Sequence, residues 1–203
     1  MIYELRTYVL HSAHFAEYLA AFEQRPAVVE VLRPHLRGFW AAESGILNRV
    51  MHLWEYRDRA ERVAVRAARA QVPAMERFYA DVLPMLREQR SVIYEGRVAP
   101  PFAATGGVYD RLAITLAPGV DGEALTHTVG ERLSEGFQVV ASLRSRLLEQ
   151  PAAPVREIVF LLRSPSLEER QRAAVDLSAA LRDSGVATAE TDLWTPLGLS
   201  PLQ

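Results

Sequence analysis

Two strand-like segments recur in this chain at one spacing. Ile2-Tyr3-Glu4 is matched by Val108-Tyr109-Asp110, 106 residues later, and Leu10 falls on Leu116 at the same offset. Shifted equally, the apolar stretch Val50–Arg57 lands on Arg156–Arg163, with Arg57 meeting Arg163. One offset shared by two separated strand patterns points to an internal duplication, and so to a fold built from two copies of one unit. The segment VAPPFAATGG between the copies has the Pro, Ala and Gly content of a linker. The expected division is residues 1–98 and 106–203.

Each half reads as strand, helix, strand, strand, helix, strand. In the first half Ile2–Val9 is a strand, and Ser12 is placed to cap a helix carrying Phe15, Tyr18, Leu19 and Phe22 on one face. Pro26 kinks or restarts that helix, and Pro34 closes it. His35–Ser44 and Asn48–Arg57 form a hairpin around Gly45. Asp58 caps the next helix, with Ala60, Val63, Ala64 and Ala67 inward. A further helical piece starts near Pro73, and Ser91–Arg97 is the last strand. In the second half the strands are Val108–Leu116, Val139–Leu148, Val155–Arg163 and Ala187–Trp194. Its first helix follows Asp121 and ends at Gly136. The second is capped by Ser164 or Ser166, with Glu169 completing a capping box for Ser166, and stops at Gly185. This order predicts an α+β fold of two ferredoxin-like βαββαβ repeats with antiparallel sheets. Helices cover one face of each sheet. A second copy of the sheet covers the other, either within the chain or in a homodimer.

The segment GFWAAESGILNRVMHLWEYR, residues 38–57, carries the strongest hint of a site. Strand side chains alternate, so His52, Trp54 and Tyr56 share one face. Glu4, Arg6 and Tyr8 share a face of the first strand for the same reason. A strand with a purely structural role would fill such a face with Val, Ile and Leu. An imidazole, an indole and a phenol instead suggest a polar pocket with aromatic walls. The second half replaces Arg6, Tyr8, His52, Trp54 and Tyr56 with Leu112, Ile114, Ile158, Phe160 and Leu162, so a site belongs to the first half.

Composition removes several alternatives. The chain has no cysteine, which excludes disulfides, thiolate nucleophiles and cysteine-held metals and fits a cytoplasmic protein. It has no lysine, which excludes Schiff-base chemistry and a P-loop lysine. A net charge of −2 gives no general attraction to nucleic acid or anionic lipid. No apolar run approaches a membrane span, and the N-terminus reads as a strand rather than a signal peptide.

MIYELRTYVL, a helix with AEYLAAF, and then GFWAAESGILNRVMHLWEYRDRAER together resemble the NIPSNAP family over roughly residues 1–97. The most specific part is the GFW…E.G.LN.V.HLW.Y core. The resemblance implies the dimeric α/β-barrel fold, whose sheets pair face to face. That superfamily includes cofactor-free monooxygenases of antibiotic biosynthesis, haem-degrading enzymes and chlorite dismutases, so function is implied only broadly.

The expected site therefore has His52, Tyr56 and Glu4 as catalytic candidates and Arg6, Tyr8 and Trp54 as ligand-binding ones. A flat aromatic molecule would stack on Trp54, with Arg6 holding a carboxylate. His52 would act as a general base, or as an axial ligand were the group a haem. No cofactor is required by the sequence, and haem is the one the superfamily suggests. The functional expectation is a small-molecule-binding protein or a cofactor-free oxygenase-like enzyme. The alternative is a non-catalytic interaction module with its pocket packed shut, in which Glu4 and Arg6 pair with neighbours. His11, His14 and Glu17 have a spacing that could bind a metal, but a fourth ligand is lacking, so no metal is expected. Asn48 and Arg49 read as turn residues. Arg59, Arg62, Arg66 and Arg69 read as a solvated helix stripe.

Overall fold

The computed structural model describes residues 1–100, 107–134, 136–146, 155–181 and 186–202. Its strands are β1 (Ile2–Leu10), β2 (Leu36–Ala42), β3 (Arg49–Tyr56), β4 (Leu86–Val98), β5 (Val108–Leu116), β6 (Gln138–Arg146), β7 (Val155–Ser164) and β8 (Val186–Pro196). The helices are α1 (Phe15–Glu23), α2 (Pro26–Leu32), α3 (Arg59–Ala70), α4 (Pro73–Val82), α5 (Gly122–Leu133) and α6 (Leu167–Leu181). The middle of the linker, Gly106, Leu148 and Gly185 lie outside the described residues.

The strands form one closed antiparallel barrel in the order β1-β3-β2-β8-β5-β7-β6-β4. The barrel expected of the two halves is thus a single closed sheet rather than two sheets meeting face to face. The edges of the two four-stranded halves join instead, β2 to β8 through Trp40↔Pro196 and Ala42↔Trp194, and β4 to β6 through Glu95↔Arg144 and Val98↔Ala141. Closure removes the unpaired backbone groups that a free edge would expose. It occurs within this single chain.

Alternation along each strand separates two kinds of core. Tyr3, Leu5, Trp40, Met51, Leu53 and Tyr94 meet Tyr109, Val159, Leu161 and Trp194 inside the barrel. This interior is packed with side chains, as a barrel of eight strands allows. On the outside, α1, α2 and α4 bury Tyr18, Phe22, Val28, Leu32, Met75 and Phe78 against Val50, Trp54 and Tyr56. The second half has its own outer core of Leu112, Ile114, Leu125, Val129, Ile158 and Phe160. The Gly-Phe-Trp triplet of β2 serves both sides. Trp40 points inward and lies so close over Gly38 that a Cβ there would sit 1.8 Å from its ring, while Phe39 points outward to His52.

Local chemistry explains most element boundaries. Pro26 and Pro73 each open a helix, where a missing N–H is no loss. Asp58 caps α3 by accepting from the Glu61 N–H at 2.8 Å, Asp121 caps α5, and Ser166 accepts from the Glu169 N–H. Ser12 is not a cap. It opens a short 3₁₀ turn, and α1 starts at Phe15 without a side-chain cap. Asn48 does sit in the hairpin turn, at φ 53°. Arg49 is no turn residue but the first residue of β3, buried against Asp192 at 2.9 Å and stacked on Trp194. No helix among the described residues is long and apolar enough to cross a membrane.

The largest departure from the expected burial is α3. Val63 is 63% exposed, and Ala60, Ala64 and Ala67 are also outside. The inward face is Arg62, Val65 and Arg69. A hydrophobicity pattern would have turned this helix the other way. The reason is a buried carboxylate beneath it, described next.

Candidate functional site

β1 and β3 are neighbours, and their register places Glu4 opposite Trp54, Arg6 opposite His52 and Ile2 opposite Tyr56. The two polar faces therefore coincide on the outside of the barrel. α1, α3 and α4 pack over them. Between strand and helices lies a cavity of about 50 Å³ lined by Arg6, Tyr8, His52 and Trp54, with Tyr18 and Phe22 from α1, Arg69 from α3, and Phe78 and Tyr79 from α4. Glu4 and Tyr56 do not line it. Tyr56 stacks on His35, with centroids 5.1 Å apart.

Glu4 is fully buried and carries the ionic scaffold of the site. Its Oε1 accepts from Arg62 Nη2 and Ser91 Oγ, each at 2.6 Å, and Arg6 Nη2 donates to its Oε2 at 3.1 Å. Arg66 approaches at 3.7 Å. Burial alone would raise the pKa of this carboxyl, but the Arg62, Arg6 and Ser91 hydrogen bonds more than offset it and hold it at about 2. Such a carboxylate is a weak base, occupied with positioning Arg6 rather than accepting a proton. The Arg59–Arg69 stripe is accordingly solvated only in part: Arg59 and Arg66 are exposed, whereas Arg62 turns toward Glu4 and Arg69 is buried.

His52 is 5% exposed and ringed by aromatics. Phe39 lies edge-on at 4.3 Å, Tyr8 at 5.1 Å and Trp54 at 6.0 Å between centroids. The Tyr18 hydroxyl lies 3.4 Å from its Nε2. Burial, aided by the Arg6 charge, lowers its pKa to about 3, so the ring is neutral near pH 7. Unfolded, the same ring would take up a proton near its ordinary 6.5. Stability contributed by keeping it neutral is therefore fully present above pH 6.5 and lost as pH falls toward 3. Replacement His52→Gln is expected to flatten the fall in urea midpoint between pH 7 and pH 5. An identical fall in both proteins would place the acid sensitivity elsewhere.

Arg69 lines the cavity, although the sequence placed it on an exposed stripe. It is 6% exposed, and its guanidinium lies 4.7 Å from the Trp54 ring centroid. Its Nη2 reaches the Leu32 carbonyl at 3.5 Å, while its Nε and the Trp54 Nε1 are buried without a hydrogen-bond acceptor. Burial pulls the Arg69 pKa down, whereas it pushes the Tyr18 and Tyr79 phenols up, so both phenols stay neutral donors. Only the partners of α3 could have revealed Arg69, because its spacing alone fits an exposed stripe.

The site thus holds two guanidiniums, Arg6 and Arg69, at a cavity whose nearest carboxylate is already shared with Arg62. It suits an anionic oxygen attached to an apolar body. It does not fit a haem, because a cavity of about 50 Å³ has no room for a macrocycle against Trp54. The His52 Nε2 that would bind iron is also covered by Tyr18. At the start of α1, His14 pairs with Glu17 at 2.8 Å, and no group of three metal-ligating side chains occurs among the described residues.

The NIPSNAP family model matches residues 3–97. Protein NipSnap homolog 3A of Homo sapiens is 29% identical over 147 residues, which cover 68% of this chain and 58% of the relative. The chain thus matches somewhat over half the length of that relative. Two solved structures match 97% of the chain and 92% of their own: candidate monooxygenases from Fusobacterium nucleatum (TM-score 0.65, 11% identity) and Lactobacillus acidophilus (TM-score 0.64, 12% identity). At these identities the likeness is one of fold.

Proposed function

We propose, from the premise that residues 3–97 of this chain belong to the NIPSNAP family, that the protein binds a small apolar or aromatic molecule bearing an anionic oxygen in the first-half pocket. In this reading the chain is two ferredoxin-like units, residues 1–98 and 106–203, and the second serves as the partner sheet that completes the barrel. The observation that carries the reading is the buried guanidinium of Arg69, which lies over Trp54 beside Arg6 and meets no carboxylate among the described residues. A buried cation with a donor lacking an acceptor is costly unless something anionic meets it. Arg69 and Arg6 would hold the oxygen, Trp54 and Phe78 would flank the anionic end, and neutral His52 and Tyr18 would supply hydrogen bonds.

Oxygenase-like turnover stays a finer version of this reading. It would need His52 to accept a proton, and an imidazole with a pKa of about 3 does so poorly. An anionic ligand placed beside it would raise that value. The small cavity favours the second reading, a non-catalytic interaction module whose pocket remains packed.

Thermal unfolding separates the two. With an aromatic carboxylate at about a hundred times Kd, the midpoint should rise by roughly 5–10 °C. Arg69→Met keeps the side-chain length and removes the charge, and should abolish that rise without lowering the unliganded midpoint. Equal shifts in both proteins, or none across a panel of benzoates, naphthoates and hydroxyquinones, would sink the binding reading in favour of the interaction module.

A further inference from the structure

Beside the His52 cavity, the surface carries a groove of about 380 Å³ between α1, α2 and the segment after β8. Leu19, Val29, Leu197 and Leu199 give it apolar walls, with Phe39 at its inner end. Phe22 lines both the groove and the cavity, so its side chain forms a wall common to the two. Its ring is 5.1 Å from Phe39 and 6.3 Å from His52, with Tyr18 and Phe78 on its other edges. No hydrogen bond or ion pair fixes a phenylalanine in place, so its hold is packing alone.

We infer that groove and cavity are two parts of one ligand site, separated by the Phe22 ring, and that the ligand is an apolar carboxylate long enough to occupy both. The inference rests on the binding reading above and adds the shape of the ligand and the way it enters. Volume is the first reason. The cavity of about 50 Å³ has room for a carboxylate group and little more, whereas an engineered cavity of about 150 Å³ is what accepts a benzene ring. The groove supplies the missing space, and both together reach the range of ordinary ligand sites. Charge is the second. The inner cavity carries Arg6 and Arg69, while at the groove Arg33 is paired with Glu30 at 3.2 Å. The attraction for an anion therefore lies at the inner end, which orients the carboxylate inward and the apolar body outward. Rotation of Phe22 out of the partition would let the body thread past Phe39.

Calorimetric titration with 2-naphthoate, which needs both compartments, and with acetate, which needs only the inner one, tests this. Val29 is half-buried at the groove and does not line the inner cavity, so Val29→Trp fills the groove without entering the cavity. It should weaken 2-naphthoate by about tenfold or more, equivalent to ~1.4 kcal/mol, and leave acetate unchanged. Phe22→Leu opens the partition and should speed 2-naphthoate association. If Arg69→Met abolishes 2-naphthoate binding but Val29→Trp and Phe22→Leu leave it unaltered, the joined site is overturned and the inner pocket survives. If Val29→Trp abolishes binding and Arg69→Met does not, the ligand sits in the groove alone, and the joined site is again overturned. Absence of any 2-naphthoate or acetate binding, in the wild type and in Phe22→Leu, would remove both this inference and the binding reading.

Discussion

Glu4→Gln is expected to destabilise the protein by about 3–5 kcal/mol, the usual consequence of removing one partner from a buried ionic cluster. The amide has nearly the same shape, so the loss is electrostatic. Arg62 and Arg6 would keep their burial and lose their counter-charge. The second half supplies an internal control. Asp110, which stands where Glu4 does on β5, accepts from Arg170 Nη2 at 2.7 Å and Nε at 2.8 Å. The acid–arginine contact between first strand and second helix is thus present where the arginine, histidine and tryptophan of the pocket are absent. That pattern assigns Glu4 to clamping α3 onto β1, and a Glu4 variant that loses function would first have to be shown folded. The sign of the pH effect follows from its lowered pKa. The carboxyl is at about 2 folded and near its ordinary 4.5 unfolded, so the stabilisation is complete above pH 4.5 and disappears as pH falls through 2. Urea midpoints of wild type and Glu4→Gln should differ at pH 7 and converge near pH 2. A difference under about 1 kcal/mol at pH 7 would mean that the cluster is no better than an exposed ion pair.

Gly96→Ala should cost at least about 3 kcal/mol, because it combines backbone strain with a backbone collision. Gly96 has φ 156°, a conformation essentially reserved for glycine. It pairs with Leu143 in the β4–β6 seam, where an added Cβ would sit 2.1 Å from the Ser142 carbonyl oxygen. A flexible side chain could move aside, but a carbonyl engaged in a strand ladder cannot without opening the seam. The expected readout is a lower urea midpoint with faster amide exchange at Arg97 and Ser142. A variant as stable as wild type, with both amides still protected, would show that the seam can absorb the atom.

Much of this architecture was legible before any coordinates. Ile2–Val9 and Val108–Leu116 read as strands because alternation is a local property of the backbone. Pro26, Pro73, Asp58 and Asp121 marked helix starts through their own dihedrals and side-chain oxygens. The co-facing of Arg6, Tyr8, His52 and Trp54 also followed from period two, once β1 and β3 were taken as neighbours. The reading went astray where distant charge outweighed local pattern. The alanines of α3 form the apolar stripe, yet they face outward, because an unpaired Glu4 carboxylate in the core would cost more than exposing small methyl groups.

The sequence by itself determined the elements, their order and the polar face of the first half, since each depends on residues a few positions apart. Only the tertiary structure decided that the halves join edge to edge, that Glu4 is held by three arginines while Arg69 meets no carboxylate among the described residues, and that Phe22 stands between a small cavity beside His52 and a larger groove. Those features depend on which side chains from separate elements meet, and on the volume left between them, which no periodicity encodes.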